Sequence, residues 1–165
     1  MVAATAAVTL RPTGPDDSEF LLHVYASTRS EELASVPWSP EQKDAFLRQQ
    51  FHAQSVDWSQ NYPKADWSIV EVDGVPAGRL YVDWGEAEIR LVDIALLPEF
   101  RRGGIGTALI GRLFVEADAR RLPVTIHVEI FNPARALYER LGFVAREERG
   151  MYLFMERRPI GTAGR

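Results

Sequence analysis

Three glycines and two arginines crowd into six consecutive positions near the middle of the chain. The segment reads Arg101-Arg102-Gly103-Gly104-Ile105-Gly106, and a helical pattern of apolar residues follows it directly. Glycines let a backbone approach a ligand closely, the first N–H groups of a helix have no partner within the helix, and the helix dipole adds positive potential there. The segment therefore predicts a site for an anionic group, and a phosphate fits that chemistry.

Two common phosphate-binding patterns do not fit the residues around these glycines. A Walker loop needs Lys-Ser or Lys-Thr after its glycines, and neither dipeptide follows here. The dinucleotide fingerprint needs a third glycine at the position where the chain has Leu109. A tight turn without a ligand is the remaining alternative, and the two adjacent arginines make it the weaker one.

The glycine segment lies between a predicted strand and a predicted helix. Residues 89–97 are almost continuously apolar, which is typical of a strand buried on both faces, and Pro98 ends it. The helix is expected to stop before Leu122-Pro123, because the residue before proline disfavours helical angles. Its apolar face consists of Leu109, Ile110, Leu113, Phe114 and Ala117.

The elements before the glycine segment are predicted from caps and turns. A short strand over 8–10 is followed by a helix that starts at Thr13, and Ser39 begins a second helix through a capping box with Gln42. Residues 58–65 are polar and rich in turn formers, which predicts a loop. Asp73-Gly74 between two alternating apolar runs predicts a β-hairpin over 67–84.

The elements after it complete a mixed α/β (α+β) fold. We predict a strand over 124–130, a short helix from the cap Asn132 to Gly142, and two closing strands over 144–148 and 151–157. The predicted order is β-α-α-β-β-β-α-β-α-β-β. It gives one mixed central sheet of about six to seven strands flanked by about four helices.

Length and composition set broad limits on function. The 165 residues, 46% of them hydrophobic, predict one domain over 1–165 with its core over about 8–158 and a flexible tail over 159–165. A net charge of −4 argues against nonspecific nucleic-acid binding, and the absence of cysteine excludes disulfides and thiol nucleophiles. With no basic n-region, no stretch of membrane-spanning length and no metal-ligand spacing, we expect a cytoplasmic protein without a metal.

A second motif gives the glycine segment a family context. Residues 132–143 read Asn-Pro-Ala-Arg-Ala-Leu-Tyr-Glu-Arg-Leu-Gly-Phe. They resemble the Asn-x-x-Ala-x-x-Leu-Tyr-x-x-x-Gly-Phe pattern of the GCN5-related N-acetyltransferase (GNAT) superfamily, with the alanine spacing slightly varied. The Arg-x-x-Gly-x-Gly segment is similar to the acyl-CoA pyrophosphate loop of that superfamily. The resemblance covers residues 67–157 strongly, whereas the first two helices match only in number.

The resemblance implies transfer of an acyl group, usually acetyl, from acetyl-CoA to an amine by direct attack. Backbone N–H groups of the loop would bind the pyrophosphate, and the edge of the central strand would bind the pantetheine and polarise the thioester carbonyl. Tyr138 would protonate the leaving thiolate. A plain helix cap for Asn132 and a core aromatic for Tyr138 are the alternatives. The implied cofactor-binding residues are Ile94, Ala95, Leu96, Arg101, Arg102, Gly103, Gly104, Ile105, Gly106, Thr107, Asn132, Ala136 and Tyr138.

The base and the acceptor are less well defined. An attacking ammonium must lose a proton, and the candidate bases are Glu88, Asp93, His127 and Glu129. We favour Glu88 over Asp93, since bases of the family often lie at the start of this strand. The first two helices and the loop over 58–64 are expected to form the acceptor pocket. Aromatic and acidic side chains there suit a cationic amine, of small-molecule or peptide size, unless they serve the core and the solvent. These side chains are Tyr25, Trp38, Phe46, Trp58, Tyr62, Glu31 and Glu32.

Two other functions remain as alternatives. A noncatalytic module of the same fold could sense CoA, although it would not need a leaving-group acid such as Tyr138. An oxidoreductase could hold a dinucleotide at the glycines, although the third glycine is missing. The acyl chain and the oligomeric state, for which a homodimer is one option, are left open by the sequence.

Overall fold

Seven strands and four α-helices follow one another in the predicted order within residues 6–161, the part of the chain that the computed structural model describes. The mixed α/β fold is therefore confirmed. The strands are β1 (Val8–Pro12), β2 (Asp66–Val72), β3 (Val75–Trp84), β4 (Ile89–Leu96), β5 (Val124–Glu129), β6 (Val144–Arg149) and β7 (Tyr152–Arg157). The helices are α1 (Ser18–Ala34), α2 (Pro40–Asn61), α3 (Ile105–Arg120) and α4 (Arg135–Leu141).

The strands form one mixed sheet in the order β1-β2-β3-β4-β5-β7-β6. β1 pairs with β2 in antiparallel register, and β7 pairs in the same way with both β5 and β6. β4 and β5 run parallel, because α3 carries the chain back between them. Parallel neighbours bring the carboxyl ends of β4 and β5 to the same edge of the sheet.

The chain divides into two compact units. The first contains the chain up to Leu80 together with Ile94–Gly103, and its buried side chains include Val24 and Ile69. The second contains Tyr81–Asp93 and the chain from Gly104 onward, with Leu91, Ile110 and Met155 among its buried side chains. The extent of the domain over 1–165 stays a prediction. Residues 162–165 of the expected flexible tail lie outside the described residues.

The two long N-terminal helices begin at different kinds of cap. α2 has the predicted capping box: the Ser39 hydroxyl accepts from the Gln42 N–H at 3.1 Å, and the Gln42 amide oxygen accepts from the Ser39 N–H at 2.9 Å. The predicted cap at Thr13 is wrong. A 3-10 helix over Pro15–Asp17 precedes α1, and the Asp17 carboxylate accepts from the Gly14 N–H at 2.7 Å. Arg11 binds the same carboxylate, which explains why a buried aspartate is preferred there.

The hairpin was predicted correctly, and the preceding loop only in part. Asp73 and Gly74 have φ angles of 50° and 80°, as a primed turn between β2 and β3 requires. The predicted loop over 58–65 is wrong for its first four residues, because α2 continues to Asn61. The polar side chains at these positions belong to the exposed face of a helix and not to a loop.

Two elements near the second motif also differ from the prediction. α4 begins at Arg135 rather than beside Asn132, with Ala134 as its N-cap, and it ends as predicted at Gly142, where φ is 112°. β4 is fully buried only at Ile89 and Leu91, so it is not covered on both faces. No helix among residues 6–161 combines the length and the apolar composition needed to cross a bilayer.

Candidate active site

The glycine segment joins the end of β4 to the start of α3. A 3-10 helix over Pro98–Phe100 follows β4, Arg102 has a φ of 65°, and Gly104 has a φ of 79° just before the first turn of α3. A positive φ is uncommon for residues other than glycine, and it costs conformational energy at Arg102. The loop is therefore held in a conformation that the chain does not prefer, a feature that is frequent at ligand sites.

The N-terminus of α3 has no capping side chain. Its first internal hydrogen bond runs from the Ala108 N–H to the Gly104 carbonyl at 2.9 Å, and its first turn contains no acidic residue. The N–H groups of Ile105, Gly106 and Thr107 come before that bond and have no acceptor within the helix. This end of the helix therefore offers hydrogen-bond donors and a positive dipole to an anion.

The space beside the glycines is open. A methyl group built on Gly103, Gly104 or Gly106 would meet no heavy atom of the described chain within 4 Å. Packing inside the protein thus does not require glycine at 103 or 106, whereas the positive φ favours it at 104. A ligand that lies close against the loop would require glycine at the other two positions, and a pyrophosphate has the charge and size for such a cradle.

The two arginines of the segment differ in their contacts. The Nε of Arg101 donates to the Leu96 carbonyl at 2.8 Å, and its Nη2 donates to the Ser27 hydroxyl at 3.2 Å. Arg102 is exposed in the loop. Arg101 therefore braces the end of β4 with its guanidinium group, while the charge of both residues adds to the positive potential around the loop.

The predicted pantetheine edge lies at the end of β4. The parallel pairing of β4 with β5 runs from Ile89 to Leu91, so Ile94, Ala95 and Leu96 come after the paired segment. All three residues are half-buried. Backbone groups of a strand that continues past its partner can bind an extended ligand as an additional strand would.

Asn132 forms an Asx turn between β5 and α4. Its side-chain Oδ1 accepts from the Ala134 N–H at 2.8 Å, and its carbonyl accepts from the Arg135 N–H at 3.0 Å. The side chain thus organises the turn before the helix instead of capping the helix itself. Asn132 and Ala136 are both exposed, so a ligand can reach them.

The Tyr138 side chain, on α4, is buried against Phe143 just after that helix. The residue is 7% exposed, and its ring packs edge-on against Phe143 with 5.8 Å between centroids. Its hydroxyl makes no hydrogen bond within residues 6–161, and no fully buried side-chain oxygen of that part lacks a partner. Burial, with a smaller contribution from the negative charge of Asp93, raises the pKa of Tyr138 and keeps the phenol protonated.

Arg90 brings two of the candidate bases together. Its Nη2 donates to Glu88 at 2.8 Å, its Nε donates to the Thr125 hydroxyl at 2.8 Å, and its Nη1 lies 2.9 Å from the Nδ1 of His127. Thr125 is completely buried, which anchors the guanidinium group against the sheet. The Glu88 side chain is 40% exposed despite its ion pair with Arg90.

His127 lies between two guanidinium groups. Arg90 faces its Nδ1, and Arg149 lies 3.1 Å from its Nε2 while its own Cζ stacks 4.1 Å from the Phe154 ring centroid. Burial and the two positive charges lower the pKa of His127, so the ring is neutral near pH 7. A neutral imidazole has a single lone pair, and here that lone pair faces a guanidinium group whichever nitrogen carries it.

The two remaining candidates lie on different strands. Asp93 is half-buried in β4, and its charge acts on Tyr138. Glu129 is half-buried at the last position of β5. The structure thus couples Asp93 to Tyr138 and couples Glu88 to His127 through Arg90. Within residues 6–161, no three histidine, aspartate or glutamate side chains are grouped closely enough to hold a metal ion.

The predicted acceptor aromatics already contact cations of the chain itself. The Arg79 guanidinium lies 6.0 Å from the Tyr25 ring centroid and 5.3 Å from that of Trp58, and it donates to the Gln54 side chain at 3.3 Å. Arg29 lies over the same Tyr25 ring at 5.6 Å. The cation–π positions that were assigned to the amine are therefore occupied at Tyr25 and Trp58.

The other predicted acceptor residues are spread over both helices. Trp38 packs against Phe46 with 5.3 Å between ring centroids. Glu31 and Glu32 lie on the exposed surface of α1, and Glu32 pairs with Arg29 at 3.2 Å. Tyr62 is half-buried just after α2.

Arg79 and Gly78 are not among the site residues predicted from the sequence. Arg79 is 2% exposed, and Gly78 lies against the backbone of β4. A charged residue next to a glycine inside an otherwise apolar strand was the available signal, because strand interiors disfavour both. Only the tertiary structure shows what each of them contacts.

Comparisons with known proteins identify the family of this chain. A sequence profile of the Acetyltransferase (GNAT) family matches residues 25–143. The chain is 31% identical over 123 residues to a Bacillus subtilis (strain 168) protein named "Putative ribosomal protein bS18-alanine N-acetyltransferase", which covers 73% of this chain and 72% of that protein. It is also 31% identical over 102 residues to mouse Cysteine-rich protein 2-binding protein, covering 60% of this chain and only 13% of that one.

Solved structures show the same fold at low sequence identity. The PaiA N-acetyltransferase of Thermoplasma acidophilum, crystallised in complex with coenzyme A, matches with a TM-score of 0.69 and 18% identity, covering 92% of this chain and 99% of that one. The profile match spans most of the chain and includes both the glycine loop and the second motif. The chain therefore belongs to the Acetyltransferase (GNAT) family.

Proposed function

We propose that this protein transfers acetyl from acetyl-CoA to a primary amine of a small molecule or peptide. The observation that carries the proposal is the loop at residues 101–107 of a GNAT-family chain. It combines an uncapped helix N-terminus with glycines whose side-chain positions are open. The fold neighbour PaiA was crystallised with coenzyme A, which supports the same ligand class here.

The backbone would bind most of the cosubstrate. The N–H groups of residues 102–107 would hold the pyrophosphate, with the charge of Arg101 and Arg102 adding to the attraction. The edge at Ile94–Leu96 would bind the pantetheine arm, and one N–H of that edge would polarise the thioester carbonyl. Asn132 and Ala136, both exposed at the second motif, would contact the pantetheine as well.

Acetyl transfer would proceed by direct attack. The amine nitrogen would form a bond with the thioester carbonyl carbon, the carbon–sulfur bond would break, and CoA would leave as a thiolate. Because its pKa is raised, Tyr138 is protonated, and it would donate its proton to that sulfur as general acid.

The base that takes the proton of the ammonium would be a carboxylate. The lone pair of His127 faces a guanidinium group, which leaves Glu88, Asp93 and Glu129 as the better-placed candidates. The Glu88 side chain is 40% exposed, and the charge of Asp93 acts on Tyr138. We retain Glu88 as first choice, because it lies just before β4, where bases of the family often lie, and Asp93 as second.

The acceptor would be recognised on the first unit. Since Arg79 and Arg29 cover the rings of Tyr25 and Trp58, an amine would use other groups, such as Trp38 and the exposed Glu31. The Bacillus relative is named for an alanine of a ribosomal protein, so a peptide N-terminus is the first acceptor to test. We also propose a cytoplasmic location, no nucleic-acid or membrane partner and no metal requirement.

The test combines binding with turnover. Calorimetry should show acetyl-CoA binding, and release of free thiol should occur with at least one member of a panel of alanine-initiated peptides, amino acids and polyamines. No binding at millimolar acetyl-CoA would sink the proposal. Binding without turnover of any amine would favour the alternative, a noncatalytic CoA-binding module. NAD should fail to compete with acetyl-CoA in a thermal-shift assay.

A further inference from the structure

Gly78 in β3 lies directly against the backbone of β4. A methyl group at this position would overlap the carbonyl oxygen of Ala95 and would lie 2.9 Å from both the Cα and the Cδ2 of Leu96. The φ of Gly78 is not left-handed, so the requirement for glycine here is one of space alone. Side chains stand roughly perpendicular to a sheet, whereas carbonyls of a regular ladder lie close to its plane. The Ala95 carbonyl has therefore turned out of the regular ladder, over the position where a side chain of residue 78 would stand.

A second observation supports an irregularity in β4. The N–H of Ile89 donates to Pro123, just before β5, at 2.9 Å, whereas the N–H of Leu97 donates to Ala77 in β3 at 2.8 Å. Successive residues of a strand direct their N–H groups to opposite sides, so residues eight positions apart in a regular strand share one side. The alternation must therefore shift once between Ile89 and Leu97, as in a β-bulge. The position of the Ala95 carbonyl places this shift close to residue 95.

We infer that Gly78 is a positioning residue for acetyl transfer, because it leaves the room that the displaced Ala95 carbonyl needs. The displacement sets which backbone groups of Ile94–Leu96 remain unpaired by β3 and can face the thioester. A side chain at 78 would move the carbonyl of Ala95 and the Cα of Leu96 together. The inference rests on the proposed acetyl transfer, and it assigns a role to a residue that makes no contact with the ligand itself.

The central experiment replaces Gly78 with alanine. In G78A we expect kcat to fall about 10-fold or more, since misplacement of a catalytic group by about 1 Å has effects of that size. Affinity for CoA without its acetyl group should stay within about threefold, because the pyrophosphate loop is unchanged. G111A is the matched control: Gly111 lies in α3 with no heavy atom within 4 Å of an added methyl group. Its kcat should equal that of the wild type.

A double variant separates the two contacts of the added methyl group. L96A removes the Cδ2 atom but leaves the backbone of residues 95 and 96. The change G78A should therefore lower kcat by the same factor in the L96A background as in the wild type. Restoration of kcat in the double variant would mean that side-chain crowding causes the effect, and it would overturn the inference. The inference would also be overturned if G78A folded and its kcat were unchanged, or if its kcat and its affinity for CoA fell together.

A wild-type measurement tests the premise of the inference, that the edge at Ile94–Leu96 faces the thioester, even if G78A does not fold. Amide NMR signals of Ile94 and Leu96 should shift more with acetyl-CoA than with CoA, because only the former places a thioester carbonyl at this edge. Equal shifts with both ligands would overturn the inference. Absence of any binding by the wild type would instead refute the proposed function, so the two failures are distinguishable.

Discussion

Replacement of Tyr138 by phenylalanine tests the chemistry with the smallest change to the fold. The ring stays against Phe143, and the deleted hydroxyl makes no hydrogen bond within the described chain. The free energy of unfolding should therefore change by no more than about 0.5 kcal/mol. Loss of a general acid typically costs about 10²- to 10⁴-fold in rate, which corresponds to about 3–5 kcal/mol of transition-state stabilisation. A large catalytic effect with a small stability effect is the expected combination.

The assay follows thiol release at saturating acetyl-CoA and amine, with urea denaturation as the stability measurement. Y152F is the matched control, because Tyr152 is 47% exposed on β7 and has no assigned role. Affinity for acetyl-CoA should be nearly equal in all three proteins. If Y138F kept its kcat within about threefold of the wild type, a deficit under about 0.7 kcal/mol, Tyr138 would not be the acid.

Three further predictions concern the loop, an ion pair and a histidine. G104E should weaken acetyl-CoA binding severely in calorimetry, because it adds a carboxylate beside the helix N-terminus, whereas V115E, which adds the same charge at a 71%-exposed position of α3, should not. D118N, which breaks the ion pair with Arg157, should lower the free energy of unfolding by about 2 kcal/mol in urea denaturation; the loss is smaller than for a fully buried pair, because the Asp118 side chain is 30% exposed. E116Q, which breaks an exposed pair in the same helix, is the control and should lower it by under about 0.5 kcal/mol. Because the pKa of His127 is lowered in the folded state, its contribution to stability is present above the ordinary pKa near 6.5 and is lost as pH falls through the folded value. In urea denaturation at different pH values, H127N should therefore lose less stability than the wild type between about pH 7 and 5.

Local rules predicted the elements whose conformation depends on a few consecutive residues. The hairpin turn at Asp73-Gly74 and the capping box at Ser39 follow from backbone angles and side-chain reach over at most three positions. The glycine loop belongs to the same class, since its donors are backbone groups at a helix start. The element order and the family followed for the same reason, because both motifs are local.

Contacts between distant segments were beyond the reach of such rules. The Asp17 carboxylate is fixed by Arg11 from β1, which gave α1 a different start from the one predicted. Arg101 has the charge expected of a phosphate ligand, yet its guanidinium group binds Leu96 and Ser27. The requirement for glycine at 78 depends on the position of a carbonyl in the next strand. In each case the contact joins residues of different structural elements, so patterns of consecutive residues do not predict it.

The distinction between local backbone features and distant side-chain contacts also explains why the acceptor is harder to predict from the sequence than the cosubstrate. Acetyl-CoA would be bound mostly by backbone N–H groups, whose positions follow from a loop and a helix start. The proposed acceptor helices would act through side chains, and α2 has no fully buried residue in the described structure. It is held instead by half-buried aromatic rings, by the stacking of Trp58 on Arg79 and by exposed ion pairs such as Arg48 with Glu19. Contacts of this kind are individually weak, so a segment held by them can change its sequence and shape at low cost. Under the proposed function, selection for different amines could therefore act on α2 without disturbing the backbone geometry that would bind the pyrophosphate.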